Sequence, residues 1–213
     1  MLKKLLFIGL VFLGNLNLFA QEIKEVKIGD QIWMAENLNV DKFKNGDAIP
    51  EAKTKEEWKA ANKNEQPAWC YHNNISSNGS KYGKLYNWYA VNDPRGLAPE
   101  GWHIPSKSEF SKLSNYLYDF VGKKLKSKSG WRTEDLLQNS GDGSNAVGFN
   151  GLPAGDRDFM GAWGAIGNSA NWWTTSENVL EMAWCAWVSY LGGEFVIKPK
   201  SKSSGNSVRC VKD

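Results

Sequence analysis

The segment that most constrains the fold is a helix start near the middle of the chain. Ser106 and Glu109 have the spacing of a capping box, in which each side chain accepts a hydrogen bond from the other residue's backbone amide. The following apolar residues recur at i, i+3 and i+4 steps, which predicts a helix with one buried face that ends near Gly122. These apolar residues are Phe110, Leu113, Leu117, Phe120 and Val121.

Shorter elements are predicted before this helix. Alternating apolar residues on both sides of Gly29-Asp30 predict a β-hairpin over residues 25–35. A second capping box at residues 54–57 predicts a short amphipathic helix. Residues 82–91 match both helical and strand spacing, and we interpret them as a strand that passes into a short helix.

The C-terminal third of the chain has the composition of β-strands. Its β-branched and aromatic segments are residues 172–175, 182–191, 194–198 and 207–211, and residues 191–194 predict a hairpin turn. Between the helix and these strands, residues 123–171 are rich in Gly, Asn, Ser and Asp, and we expect an ordered long-loop region held by spaced aromatic residues. Helices in the middle and strands at the end predict an α+β fold.

The N-terminus predicts export. Residues 1–20 show the charged, apolar and small-residue order of a signal peptide, with cleavage near Ala20, and leave a single domain over residues 21–213. Loss of this leader reduces the formal net charge from +3 to +1. This small charge argues against a nucleic-acid partner. No later segment has the length and hydropathy of a membrane span, and the oligomeric state stays open.

Tryptophan and cysteine are informative in an exported chain. The sequence has 11 tryptophans, and we expect most in the core and two or three at the surface. The three cysteines are Cys70, Cys185 and Cys210. They allow at most one internal disulfide, and the sequence leaves the pairing open.

Five blocks together resemble the Fibrobacter succinogenes major paralogous domain. They lie in the family's order and cover nearly all of the mature chain: residues 26–38, 82–91, 101–105, 172–177 and 207–212. This family occurs in secreted or surface proteins of Fibrobacter and Bacteroidetes, and its biochemical role is largely undefined. The resemblance therefore implies an exported surface protein.

The Trp-x-Ile-Pro-Ser-x-x-Glu-Phe pattern that begins at Trp102 is also similar to C-type lectin-like and formylglycine-generating-enzyme-like domains. This similarity implies a helix packed on small antiparallel sheets, with a long loop region that carries the ligand site. Cys70 and Cys210 match the family-typical cysteines, which implies a Cys70–Cys210 disulfide. Cys185 has no counterpart in that pattern.

The long-loop region and the strand after it supply the candidate site residues. For binding of a carbohydrate or another surface macromolecule we select Asp156, Asp158, Trp163, Trp172 and Glu177. Asp142 and Asn145 carry the oxygen ligands that calcium prefers, so calcium is a possible cofactor. The alternatives are solvated turn residues for the acids and core packing for Trp172.

Catalysis has weaker support in the sequence. Cys70 and His72 have no orienting carboxylate marked beside them, and Cys185 and Cys210 lie too far apart to match the oxidase motif of formylglycine-generating enzymes. A glycosidase needs two carboxylates across a cleft, and only Asp156 and Glu177 can be imagined in these roles. We therefore expect a non-catalytic binding module, with a structural or adhesive surface protein as the alternative.

Overall fold

A computed structural model describes residues 23–134 and 139–213. The predicted signal peptide, residues 1–20, lies outside the described residues. Within this part of the chain, no helix is long and apolar enough to span a membrane.

Most regular elements are short. In chain order they are β1 (Glu25–Ile28), β2 (Gln31–Met34), α1 (Lys55–Lys63), β3 (Trp69–Cys70), a 3-10 turn (His72–Asn74), α2 (Ser77–Tyr82), β4 (Leu85–Tyr86), α3 (Trp88–Val91), β5 (Trp102–His103), α4 (Lys107–Leu117), α5 (Val121–Leu125), β6 (Thr133–Glu134), β7 (Asn139–Ser140), β8 (Ser169–Val179), β9 (Met182–Ser189), β10 (Val196–Ser201) and β11 (Val211–Lys212). The few helices and several small antiparallel sheets, with the largest sheet after the last helix, confirm the predicted α+β class.

The largest strands form an antiparallel sheet in the order β10-β9-β8. This sheet is covered on both faces, because one core cluster contains Trp173 and Cys185 and a second contains Trp172 and Ala186. Adjacent strand residues point to opposite faces, so Trp172 and Trp173 enter different clusters. Both tryptophans are fully buried.

A smaller sheet joins the two ends of the chain in the order β1-β2-β11-β5. The predicted hairpin is confirmed in β1 and β2, and the β2 residue Trp33 pairs with Val211. Both capping boxes are present, at Thr54 for α1 and at Ser106 for α4. The predicted strand followed by a short helix at residues 82–91 is confirmed as β4 and α3.

The predicted end of the central helix is wrong. Phe110, Leu113 and Leu117 face the second core cluster as expected, but α4 ends at Leu117. Phe120 adopts a left-handed backbone and is 69% exposed, and Gly122 lies inside the separate helix α5. The helix ends early because Tyr118 also has a positive φ of 64°, which an α-helix cannot continue.

The predicted C-terminal strands are shifted. The hairpin turn at residues 191–194 is confirmed between β9 and β10, but β10 begins at Val196 rather than at Glu194. The last strand, β11, contains only two residues. The preceding segment runs beside β8, where Ser207 forms a single bridge with Trp172.

A buried arginine connects the first and last blocks of the chain. Arg209 is fully buried, and its Nε and Nη2 donate to Oδ1 of Asn37 at 3.1 and 2.6 Å. Its Nη1 donates to the carbonyl of Phe149, and the guanidinium lies 4.3 Å from the centre of the Phe149 ring. Burial lowers the pKa of Arg209 to about 9. Among the described residues no carboxylate forms a salt bridge with it. The hydrogen bonds to Asn37 therefore replace much of the hydration that the guanidinium would have in water.

The predicted Cys70–Cys210 disulfide is absent. All three cysteines are buried free thiols. Cys70 belongs to a cluster around Trp58, whereas Cys210 and Cys185 belong to the cluster around Trp173. Burial raises the pKa of Cys70 and Cys210 to about 12 and that of Cys185 to about 11, which disfavours the reactive thiolate form.

Replacement of Asn37 tests the arginine network. Asn37→Ala removes the acceptor from a buried cation, and we expect the free energy of unfolding to fall by about 3 kcal/mol. Urea denaturation measures this change. Asn178→Ala, at an exposed position of β8, is the control and is expected to change stability by less than about 0.5 kcal/mol. Equal effects of the two substitutions would contradict the assigned role.

Candidate functional site

A second buried arginine positions the loop that forms the candidate site. Arg157 is 1% exposed, and its Nη1 and Nη2 donate to the carbonyls of Ala52 and Thr54 at 2.7 and 2.9 Å. Its guanidinium lies between two indoles, 4.8 Å from the ring centre of Trp58 and 4.4 Å from that of Trp163. Arg157 therefore fixes the loop against the N-terminal end of α1.

The residues after Arg157 form a tight turn. The backbone amide of Ala162 donates to the side chain of Asp158 at 2.8 Å, and the amide of Asp158 donates to the carbonyl of Ala162 at 2.8 Å. Gly161 has a φ of +83°, and a Cβ there would lie 2.8 Å from the Lys55 side chain. The turn therefore requires glycine at this position. Between these contacts, Phe159 and Met160 remain 56% and 45% exposed.

This turn forms one wall of a groove of about 420 Å³. Helix α1 and the residues just after it form the opposite wall, and α3, the β8–β9 turn, the end of β10 and the segment after β10 contribute the rest. The lining residues are Lys59, Asn62, Lys63, Glu65, Tyr89, Phe159, Met160, Glu181, Ser201 and Ser203. We call this feature the α1–loop groove.

The floor of the α1–loop groove is held by directed hydrogen bonds. The carbonyl of Ser203 accepts from Nε1 of Trp58 at 3.0 Å and from Nδ2 of Asn62 at 2.9 Å. The Tyr89 hydroxyl is hydrogen-bonded to Ser203, and partial burial raises the pKa of Tyr89. Neutral donors and acceptors thus lie beside apolar side chains, and charged lysine and glutamate side chains line the same groove.

A polar layer supports the loop from the side of the central sheet. Lys200 donates to Asp156 at 2.5 Å and to Asn171 at 3.2 Å. The adjacent His72 is 3% exposed, and its Nε2 donates to the carbonyl of Gly164 at 2.6 Å. Because a carbonyl only accepts, this contact places the proton of neutral His72 on Nε2 and leaves Nδ1 unprotonated. Burial lowers the pKa of His72, against the opposing effects of Gly164 and Asp156.

The structure brings only part of the predicted binding set together. Asp156, Asp158 and Trp163 lie on the loop that Arg157 holds, where Asp158 stabilises the turn and Trp163 stacks on Arg157. Trp172 is fully buried and donates to Asn37 at 2.9 Å, so it lies in no surface site. Glu177 is exposed on β8 and forms a salt bridge with Lys202.

The predicted calcium ligands stabilise the loop by hydrogen bonds to the backbone. Asp142 accepts from the amide of Trp131 at 3.0 Å, and Asn145 accepts from the amide of Asn150 at 2.7 Å. In residues 23–134 and 139–213, no three His, Cys, Asp or Glu side chains are arranged to hold a metal ion. The geometry favours a loop-stabilising role for both residues.

Sequence reasoning missed most residues of the groove. Tyr89 lies in a segment that the sequence predicts as a strand followed by a short helix. Helix α1 is predicted as a helix without a binding role. Adjacent exposed apolar residues at Phe159-Met160, inside a Gly-rich polar segment, are a signal that could have indicated the site. The role of Arg157 depends on carbonyls about a hundred positions earlier in the chain, and no local pattern encodes that contact.

Together, these features define an α+β domain whose ordered loop forms an amphipathic groove against a helix. The family model described as the Fibrobacter succinogenes major domain matches residues 26–212. The chain therefore belongs to that family, as the five sequence blocks predicted. Searches of curated proteins and of solved structures found no match.

The two histidines are expected to titrate in opposite directions. His103 contacts Glu109 at 2.7 Å and Asp213 at 2.8 Å, and these carboxylates outweigh partial burial and raise its pKa, whereas the pKa of His72 is lowered. His103 therefore stabilises the fold at low pH and loses this effect as the pH rises through its folded pKa. His72 stabilises the fold at higher pH and loses this effect as the pH falls below about 6.5.

NMR titration of the imidazole carbon-bound protons measures both groups, because the chain contains only two histidines. The two midpoints should lie on opposite sides of about 6.5. His72→Gln and His103→Gln assign the resonances. Coincident midpoints would contradict the two environments.

Proposed function

We propose that this chain is an exported, non-catalytic binding module that recognises carbohydrate at or outside the cell surface through the α1–loop groove. The observation that carries this proposal is the composition of the groove. It combines exposed Phe159 and Met160 with the neutral hydrogen-bonding groups of Tyr89, Asn62 and Ser203. Two lysines and two glutamates also line it: Lys59, Lys63, Glu65 and Glu181. A sugar presents apolar C–H faces and hydroxyl groups together, and this lining complements both.

The size and rigidity of the groove support the same ligand class. About 420 Å³ lies within the range of small-molecule sites and suits a short oligosaccharide segment. The turn at Asp158 and the floor at Ser203 are held by hydrogen bonds before any ligand binds. Little conformational entropy would then be lost on binding.

The arrangement of the acidic residues supports a non-catalytic role. Asp156 and Glu177, which the sequence offered as a glycosidase pair, form salt bridges with different lysines, Lys200 and Lys202. Neither of these two acids lines the groove, where the carboxylates are those of Glu65 and Glu181. A glycosidase pair must lie across the cleft that binds the sugar, and Asp156 and Glu177 do not line it.

We further propose that the architecture is C-type lectin-like. Helix α4 follows the Trp102 motif and packs on small antiparallel sheets, and an ordered loop region borders the binding groove. Export is proposed from the sequence of residues 1–20. These two points rest on fold analogy and on the leader pattern, independently of the ligand.

Substitution of the apolar wall tests the proposed function. Phe159→Ala with Met160→Ala should weaken binding to a soluble oligosaccharide by about tenfold, because the stacking surface is lost. A glycan array identifies the oligosaccharide, and calorimetry measures the affinity. Ile75→Ala is the matched control, since Ile75 is 50% exposed and does not line the groove.

Two results would contradict the proposal. One is unchanged affinity in the double variant with its fold intact. The other is the absence of glycan binding by the mature protein together with stable self-association, which would favour the structural or adhesive alternative.

A further inference from the structure

Three exposed aromatic side chains lie at the C-terminal end of α4 and on its connection to α5. Tyr116, Tyr118 and Phe120 are 64%, 91% and 69% exposed. Leu191, on the neighbouring β9–β10 turn, is 48% exposed. We call the three residues the aromatic loop. None of them lines the α1–loop groove, so the aromatic loop is a separate surface.

The backbone of the aromatic loop is conformationally costly. Phe120 has a φ of 46° and a ψ of 36°, in the left-handed region that glycine and asparagine adopt most readily. Tyr118 has a φ of 64° and a ψ of −70°, the rarer geometry of a γ-turn, in which the amide of Asp119 donates to the carbonyl of Leu117 at 2.8 Å. Bulky residues with positive φ are uncommon and tend to occur at functional sites. Here the strain does not serve core packing, because both side chains point into solvent.

The aromatic loop is nevertheless rigidly attached to the fold. Leu117 and Val121, which alternate with the exposed residues, are buried in the second core cluster. The amide of Gly122 donates to the carbonyl of Gly193 at 2.8 Å, and a Cβ at Gly122 would lie 2.2 Å from the carbonyl oxygen of Glu194. The connection is thus locked onto the β9–β10 turn. The backbone that carries the rings is therefore held in place by contacts with the rest of the fold.

The surrounding charge selects the class of partner. The neighbouring acids and bases nearly balance, and two of their pairs are salt bridges, Lys112–Asp30 and Lys124–Asp119. Lys123 and Glu194 add one charge of each sign, and Lys27 near Asp30 adds one positive charge. So small a net charge gives little long-range attraction to anionic lipid or to an acidic polymer.

We propose that the aromatic loop is a second binding surface, which adsorbs the protein onto neutral, insoluble polysaccharide. Flat rings without an enclosing pocket suit stacking against the apolar faces of sugar units along an extended chain. Two of the three rings carry a hydroxyl group that can bond to sugar hydroxyls while the ring stacks. A surface of this kind suits a polymer better than a small soluble ligand.

This inference rests on the ligand class of the proposed function and not on its site. The β9–β10 turn borders the aromatic loop, and Ser201, at the other end of β10, lines the α1–loop groove. A strand of six residues spans about 20 Å, so the two surfaces lie at opposite ends of one rigid strand. Simultaneous binding at both ends would raise the avidity for a polymer above the affinity of either surface alone.

The test uses Tyr118→Asn with Phe120→Asn in the mature protein. Asparagine adopts the left-handed backbone of position 120 readily, and neither replaced side chain is buried, so thermal unfolding should occur at a temperature close to that of the wild type. Adsorption to microcrystalline cellulose, insoluble chitin and insoluble xylan is measured by sedimentation. The wild-type protein is expected to adsorb to at least one of them, and the variant about tenfold more weakly. Adsorption should change little with salt, since the surface carries little net charge.

The groove variant Phe159→Ala with Met160→Ala separates the two surfaces. It should lose soluble-oligosaccharide affinity and keep most adsorption through the aromatic loop. If only the aromatic-loop variant loses adsorption, and no oligosaccharide binding depends on Phe159 and Met160, the result would support the aromatic loop as a binding surface. It would also reject the groove as the proposed site. The inference is overturned if no polymer is adsorbed or if the Asn variant adsorbs like the wild type. It is also overturned if the variant instead loses vesicle binding, tested with phosphatidylcholine and phosphatidylserine, or self-association.

Discussion

The fold depends on a buried positive charge that lacks a carboxylate partner among the described residues. Arg209 can remain inside only because Asn37, the carbonyl of Phe149 and the ring of Phe149 replace its hydration. These groups come from the beginning, the middle and the end of the chain, so the network forms only when all three segments are in place. Burial of an unsatisfied cation is costly, and this cost discriminates against alternative arrangements of the segments.

The same principle recurs at other buried cations and accounts for part of the aromatic content. Arg157 lies between Trp58 and Trp163, and Lys126 bonds to the carbonyls of Ser189 and Gly192 beside Trp131. Carbonyl oxygens and ring faces stabilise a cation without placing a second charge in the core. Eight of the 11 tryptophans are buried, which agrees with the expectation that most serve the core.

Local structure was predictable from the sequence where neighbouring residues determine it. Both capping boxes and both main hairpins follow from spacing and turn residues, and all four are present. Long-range choices were not predictable in this way. After the break at Tyr118, Gly122 of α5 bonds to Gly193 on the β9–β10 turn, and the partners of Arg157 lie about a hundred positions away. Asp156 and Asp158 lie on one loop because they are two positions apart in the sequence, whereas Glu177 lies on β8.

The two proposed binding surfaces lie on loops that contacts with the rest of the protein hold in place. Arg157 and Gly122 hold their loops through contacts on the protein side, which leaves Phe159 and Phe120 free to face outward. Rigid attachment lowers the conformational entropy lost on binding. The free-energy cost of exposing an apolar ring to water is recovered when a partner covers the ring. Because β10 connects the two surfaces without a hinge, their separation is fixed, and a repeating polymer can meet that fixed spacing more readily than a small ligand can.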